Sequence, residues 1–239
     1  MTQSQTAERP STKQEQILMT ELWDPAIADN PDNFVMFAFP WGKAGTPLHD
    51  KQGPRTWQRD ELQAISQHIK DNKIRILNGQ VPLVYKSATC SGRGPGKSAF
   101  FAWMDLWMMS CVLGSTTIIT ANTEDQLKSK TFAEVGKWHT MAINTHLFDK
   151  NAMSLKAAPW FEKAIKQQLK IDTGYYYAQA LLWSEEKPDS FAGAHNHHGI
   201  MVQFDAASGI PKPIRTVKQG FFTEPVLHPN HLVISNGRR

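Results

Sequence analysis

Cysteine is nearly missing from this chain: Cys90 and Cys111 are the only two in 239 residues. They show no repeated spacing and lie in apolar stretches, so a disulfide scaffold is excluded and both read as buried free thiols of a reducing compartment. Long hydrophobic runs are missing too. Apolar stretches are interrupted well before membrane-spanning length, and the polar start MTQSQTAERPSTKQEQ carries no apolar signal core. No internal repeat is visible, which argues against a solenoid or propeller. Nor is there a large excess of one charge. The 26 Lys and Arg face 22 Asp and Glu, for a net charge of +4 and a pI near 9.0, which permits an anionic partner without demanding one. What is present suffices for a full core without staples: 41% of residues are hydrophobic and 10% aromatic, and one α/β domain is expected.

The organisation follows from periodicity and breakers. Residues 1–32 read as a leader and a short amphipathic helix, whose apolar positions Ile17, Leu18, Leu22 and Trp23 recur at helical spacing until Asp24-Pro25 ends it. Residues 33–239 read as the main domain. It begins with an irregular, aromatic and glycine-rich wrap from Asn33 to Pro54. A helix is expected from Trp57 to Asn72, a strand from Pro82 to Thr89, and a helix from Lys97 to Leu113 that is apolar nearly all round and stopped by Gly114. The β-branched run Thr116 to Ala121 predicts a strand, and Asn122 or Thr123 ahead of Glu124-Asp125 predicts a capped helix to about Asn144. Further on, a helix is expected over Pro159–Gln168, a hairpin or adjacent strands over Leu169–Thr173 and Ala178–Trp183, and a buried strand over Gly199–Phe204. A helix over Ile214–Phe222 and a strand over His231–Ser235 follow. Strands alternating with helices imply a mostly parallel central sheet covered on both faces, a three-layer α/β sandwich.

Between the first strand and its helix stands Ser91-Gly92-Arg93-Gly94-Pro95-Gly96-Lys97-Ser98, followed by Ala99. Glycines let successive backbone N–H groups turn inward on phosphate oxygens. A lysine directly after the last glycine adds a point charge for the β/γ-phosphates, and the serine hydroxyl can ligate Mg²⁺. The helix that follows adds its positive end. The one departure from the G-x-x-x-x-G-K-[ST] pattern is Ser91 in the first glycine position. A plain chain-reversing turn would have no need of Lys-Ser at that point. The run therefore predicts a nucleoside triphosphate site and the P-loop NTPase fold.

The strand ending in Asp205 is the second element such a site needs, an acid that holds hydrated Mg²⁺ opposite Ser98. NTPases with an additional strand between these two strands usually carry glutamate next, to orient and deprotonate the attacking water. Here position 206 is Ala. ATP binding should survive that change while hydrolysis is impaired. Ala206 reads as a substitution that traps the nucleotide complex, or else as the mark of a domain that does not hydrolyse ATP.

Together these residues resemble the ATPase domain of the large subunit of tailed-phage terminases, the DNA-packaging motor. The resemblance covers the chain from about residue 33. It rests on Phe39-Pro40-Trp41-Gly42, Trp57-Gln58, the arginine-containing glycine loop, Phe191-Ala192-Gly193-Ala194-His195, Asp205-Ala206-Ala207-Ser208-Gly209-Ile210 and Ile234-Ser235-Asn236. It implies an adenine-reading role for Gln58 beside Trp57, a γ-phosphate role for Arg93, and a coupling role for Asn236 that reports γ-phosphate occupancy. It further implies ATP and Mg²⁺ as cofactors, and double-stranded DNA, a portal protein and a small terminase subunit as partners. The working form would be a homo-oligomeric ring on the procapsid in the host cytoplasm, with a monomer open for the isolated domain and no membrane involved. A C-terminal nuclease domain is not seen in the sequence, and the stop at Asn236-Gly237-Arg238-Arg239 reads as the edge of an excised domain.

Plainer alternatives accompany several of these residues: an exposed helix-opening glutamine for Gln58, a solvated loop arginine for Arg93, and a strand-end turn residue for Asn236. His195, His197 and His198 have no cysteine or carboxylate at ligand spacing, so loop histidines are favoured over zinc. Lys212, Arg215, Lys218, Arg238 and Arg239 suit DNA phosphate or a neighbouring subunit's nucleotide as well as they suit a solvated face. Two rival functions stay open: a superfamily-2-like nucleic-acid ATPase or helicase, and a nucleotide-binding regulatory module that never hydrolyses ATP.

Overall fold

Five parallel strands and an antiparallel pair form one mixed sheet in the computed structural model, which describes residues 12–90, 96–121, 123–182, 196–205 and 231–237. The elements are α1 (Thr12–Leu22), α2 (Pro25–Ala28), α3 (Pro31–Ala38), α4 (Thr56–Leu77), β1 (Tyr85–Cys90), α5 (Lys97–Cys111) and β2 (Thr116–Thr120). Next come α6 (Glu124–Gln126), a π-helical turn (Leu127–Thr131), α7 (Phe132–Met141), β3 (Phe148–Lys150) and β4 (Ser154–Ala157). The remainder is α8 (Pro159–Ala164), a second π turn (Ile165–Leu169), β5 (Tyr177–Ala180), β6 (Ile200–Asp205) and β7 (His231–Gly237). The sheet order is β1-β7-β6-β2-β5-β4-β3, parallel from β1 to β5 and antiparallel at β4 and β3. β7 is thus the additional strand expected between the glycine-loop strand and the Asp205 strand. The fold is a mostly parallel α/β fold, as expected.

α5 lies on this sheet. From Phe100 to Ser110 every residue is buried, in keeping with an all-round apolar helix packed between sheet and neighbouring helices. α1 and α2 are tied to it: the Trp23 indole donates to Ser110 O at 3.1 Å, and the Trp107 indole to Ala28 O at 3.0 Å. Trp41, Trp103 and Trp138 meet with ring centroids 4.9–5.8 Å apart, which pins the wrap after α3 onto α5 and α7.

Three expectations are corrected. Asp24-Pro25 ends α1 but opens α2, because the Asp24 carboxylate caps Ala26 N at 2.8 Å and Pro25 takes the first helical position. The wrap expected from Asn33 begins instead with α3, started by Asn30 and Pro31 on the same logic. No strand forms over residues 169–173. The antiparallel pair is β3 and β4, two strands too short to show a period, while β5 alone matches the expected second run. The helix expected over 214–222 lies outside the described residues.

Asp105 sits in the middle of α5 with no solvent exposure and, among the described residues, no hydrogen-bond partner for either carboxylate oxygen. Burial pushes its carboxyl well above the usual carboxylate range. An unfolded Asp ionises near pH 3.9. Above that pH the native state therefore holds a proton that the unfolded state has released, and stability falls as pH rises. An amide in the same shape never ionises. Asp105→Asn is expected to raise the melting temperature at neutral pH, by about 2–4 °C for each kcal/mol recovered. A lower melting temperature in a thermal melt would mean that the carboxyl has a use the fold depends on.

Candidate functional site

Three parallel strands end side by side. Thr89 of β1 is registered with Asn236 of β7, which is registered in turn with Asp205 of β6. At the usual strand spacing the chain leaves β1 for its glycine loop about 10 Å from Asp205, a span suited to a polyphosphate and its cation. Open α/β sheets bind ligands at this carboxyl edge.

The loop itself, Ser91, Gly92, Arg93, Gly94 and Pro95, lies outside the described residues, and so does Ala206. Its last residue is described. Gly96 takes the left-handed conformation (φ 86°, ψ 27°) at the N-cap of α5, and a Cβ there would stand 2.7 Å from Gln58 Nε2. Both facts call for glycine. Lys97, Ser98 and Ala99 then form the first three positions of α5, all half-buried, where backbone N–H groups lack intrahelical partners. No acidic residue occupies that first turn, so the helix dipole there is not offset.

Gln58 is not the exposed helix-opening residue that the plainer alternative supposed. It is 2% exposed, and its amide forms a brace: Nε2 donates to Gly96 O and Oε1 accepts from Arg55 N, both at 2.8 Å. Gly96 O also accepts the first bond of α5 from Phe100 N at 3.1 Å. These two bonds use one of the two amide N–H groups and one of the two lone pairs of Gln58. Trp57 is half-buried against Phe100, with ring centroids 5.7 Å apart.

This brace heads a polar stripe along α4 at helical spacing, made of Gln58, Glu61, His68 and Asn72. Tyr85 donates its hydroxyl to Glu61 Oε1 at 2.9 Å. Asn72 takes both backbone groups of Leu83, donating to its O and accepting from its N, each at 2.8 Å. Burial first, then the Glu61 charge, push the Tyr85 hydroxyl well above its ordinary range, and burial holds the His68 imidazole below its own. Both groups are thereby kept neutral at the entry to β1. α4 fixes the strand that leads into the loop and the residue that leaves it.

Asp205 is half-buried at the end of β6, and its Oδ2 accepts a 2.8 Å bond from the Thr131 hydroxyl. It lies two residues beyond Gln203, whose amide donates to Phe101 O of α5 at 3.1 Å, so Asp205 is on the α5 face of the sheet. Asn236 lies in β7 beside it by register, with its side chain outside the described residues. His197 is exposed, and His198 rests against Gly114. Among the described residues no group of three or more His, Cys, Asp or Glu could hold a metal ion, and no helix is long and apolar enough to cross a membrane. His195 and the basic residues Lys212, Arg215, Lys218, Arg238 and Arg239 lie outside the described residues.

Sequence reasoning missed Thr131 and the brace function of Gln58. The signal for Thr131 was a hydroxyl in the otherwise apolar stripe Leu127, Thr131, Val135 and Trp138, all buried.

No family model matches the chain, and no curated protein matches it. Solved structures do. The HK97 bacteriophage large terminase matches with a TM-score of 0.50 at 14% identity, over 88% of this chain and 37% of that one. The large terminase ATPase domain of Thermus phage P74-26 matches at a TM-score of 0.38 and 16% identity, over 70% of this chain and 69% of that one. The chain thus spans little more than a third of the HK97 protein, and what it is similar to there is the fold.

Proposed function

We propose that this chain is the ATPase motor domain of a phage large terminase, binding Mg²⁺ and ATP at the carboxyl edge of its sheet and using hydrolysis to drive double-stranded DNA into a procapsid. The observation that carries this reading is the row Thr89, Asn236, Asp205, in which one additional strand separates the glycine-loop strand from the acid. The fold likeness to the HK97 large terminase supports it.

Each residue has a role in this reading. Ser91, Gly92, Gly94, Gly96 and Ala99 present backbone to the phosphates. Lys97 and Arg93 meet their charge, Arg93 at the γ-phosphate. Gln58 braces the loop through Gly96 and contacts adenine with its remaining N–H and lone pair, beside Trp57. The Ser98 hydroxyl and the Asp205 carboxylate are the hard oxygen donors that Mg²⁺ prefers, and they would hold it, directly or through water, against the phosphates. The cation would supply charge neutralisation there. Asn236 is the coupling residue that reports γ-phosphate occupancy to the rest of the motor, and its register position next to Asp205 supports that role. At 206, alanine leaves the water without its base, so this form holds ATP and turns it over poorly. A portal protein, a small terminase subunit and a ring of copies on the procapsid in the host cytoplasm complete the proposal.

Duplex DNA separates a motor from a nucleotide-binding module. In an Ala206→Glu protein, ATP turnover measured with and without double-stranded DNA is expected to rise when DNA is added. Turnover indifferent to DNA would leave an ATPase and remove the motor.

A further inference from the structure

We infer that Thr131 is a positioning residue for the divalent cation, acting through Asp205; the inference rests on the reading of Asp205 as the metal-site acid. Thr131 closes the π-helical turn Leu127–Thr131 and is 1% exposed. Its neighbours on the same stripe, Leu127, Val135 and Trp138, are apolar and buried, so packing alone asks for an aliphatic residue here. The hydroxyl carries a single proton and has two acceptors in reach. Asp205 Oδ2 is at 2.8 Å and Gln126 O at 3.4 Å, so the proton belongs to the carboxylate.

The surrounding chain makes this bond specific. A π turn is uncommon and poorer in hydrogen-bond geometry than the α-helix around it, and such turns concentrate at functional sites. This one ends on the residue that touches Asp205. Asp205 is at the last position of β6, paired by register with Asn236 of β7. A donor fixed in a buried helix holds one oxygen of that carboxylate and thereby sets the direction in which the other presents itself. Outer partners of this kind typically contribute about 10–100-fold to metal affinity. The bond also links the π turn after β2 to the acid at the end of β6, two residues that lie 74 apart in the sequence.

The test uses the chain as it stands, with Ala206, so that turnover does not interfere. The Mg²⁺ concentration dependence of ATP binding is measured for the parent, Thr131→Val and Thr131→Ser, with Mn²⁺ binding followed by electron paramagnetic resonance as a second readout. Valine keeps the shape and removes the proton. Thr131→Val is expected to need about 10–100-fold more Mg²⁺, with metal-free ATP binding unchanged and Mn²⁺ binding weakened in parallel. Thr131→Ser restores the hydroxyl and should return close to the parent. Equal Mg²⁺ dependence in the parent and Thr131→Val would overturn the inference, as would equal losses in the valine and serine variants, since those point to packing. If the parent itself shows ATP binding that ignores Mg²⁺, the assignment of Asp205 fails instead, and this outcome is distinct from the other two.

Discussion

Ala206→Glu is expected to raise steady-state ATP turnover by about two to four decades, the usual contribution of a positioned general base. That range corresponds to roughly 3–5.5 kcal/mol of barrier. The prediction follows from where position 206 falls. It directly succeeds Asp205, the last residue of β6, which the register sets beside β7 and two strands from the mouth of the glycine loop. In the proposed reading a carboxylate at this position would be the base for the water that attacks the γ-phosphate. Alanine offers neither acceptor nor charge. ATP affinity should change little, because the phosphate contacts proposed above are assigned to the loop and α5. An absence of gained turnover would remove the trapped-complex reading and favour a nucleotide-binding module that does not hydrolyse ATP.

Lys97→Ala should cost ATP affinity even with Ala206 in place, by about one to two decades, the size of a hydrogen bond to a charged group. Lys97 opens α5 immediately after left-handed Gly96 and is half-buried, whereas the core of that helix begins at Phe100. Its loss would remove charge from the proposed phosphate site while leaving the buried face of α5 from Phe100 onward in place, and the melting temperature is expected to change less than the affinity. Titration with ATP reads the first effect and a thermal melt the second. An unchanged titration would take the loop out of its assigned role. A fall in both would show that Lys97 serves the fold.

Much of this architecture was legible because the decisive segments are long and strongly patterned. α5 reads as a helix from its unbroken apolar run, β2 and β6 as strands from their β-branched and apolar residues, and Gly96-Lys97-Ser98 as a loop-to-helix junction. α3 was hidden since Asn30-Pro31, a cap and first helical residue, also looks like a turn, and since aromatics such as Phe37 and Phe39 mask the helical stripe. β3 and β4 have three and four residues, too few for alternation to show, and they exist because β5 offers them an edge. Gln58 illustrates the limit at the site. A glutamine ahead of a nucleotide fold can face a base or the loop, and only tertiary structure reveals that Gly96 O and Arg55 N occupy its amide. Thr131 stands out locally only as a hydroxyl in an apolar stripe, and its partner lies on a strand that no local pattern connects to it.

The most direct measurement is calorimetric titration of ATP into the chain with Ala206, first with Mg²⁺ and then with the metal chelated. One ATP per chain, bound more weakly once Mg²⁺ is removed, is the predicted result. No binding under either condition would contradict the proposal that the carboxyl edge of this sheet holds a nucleotide.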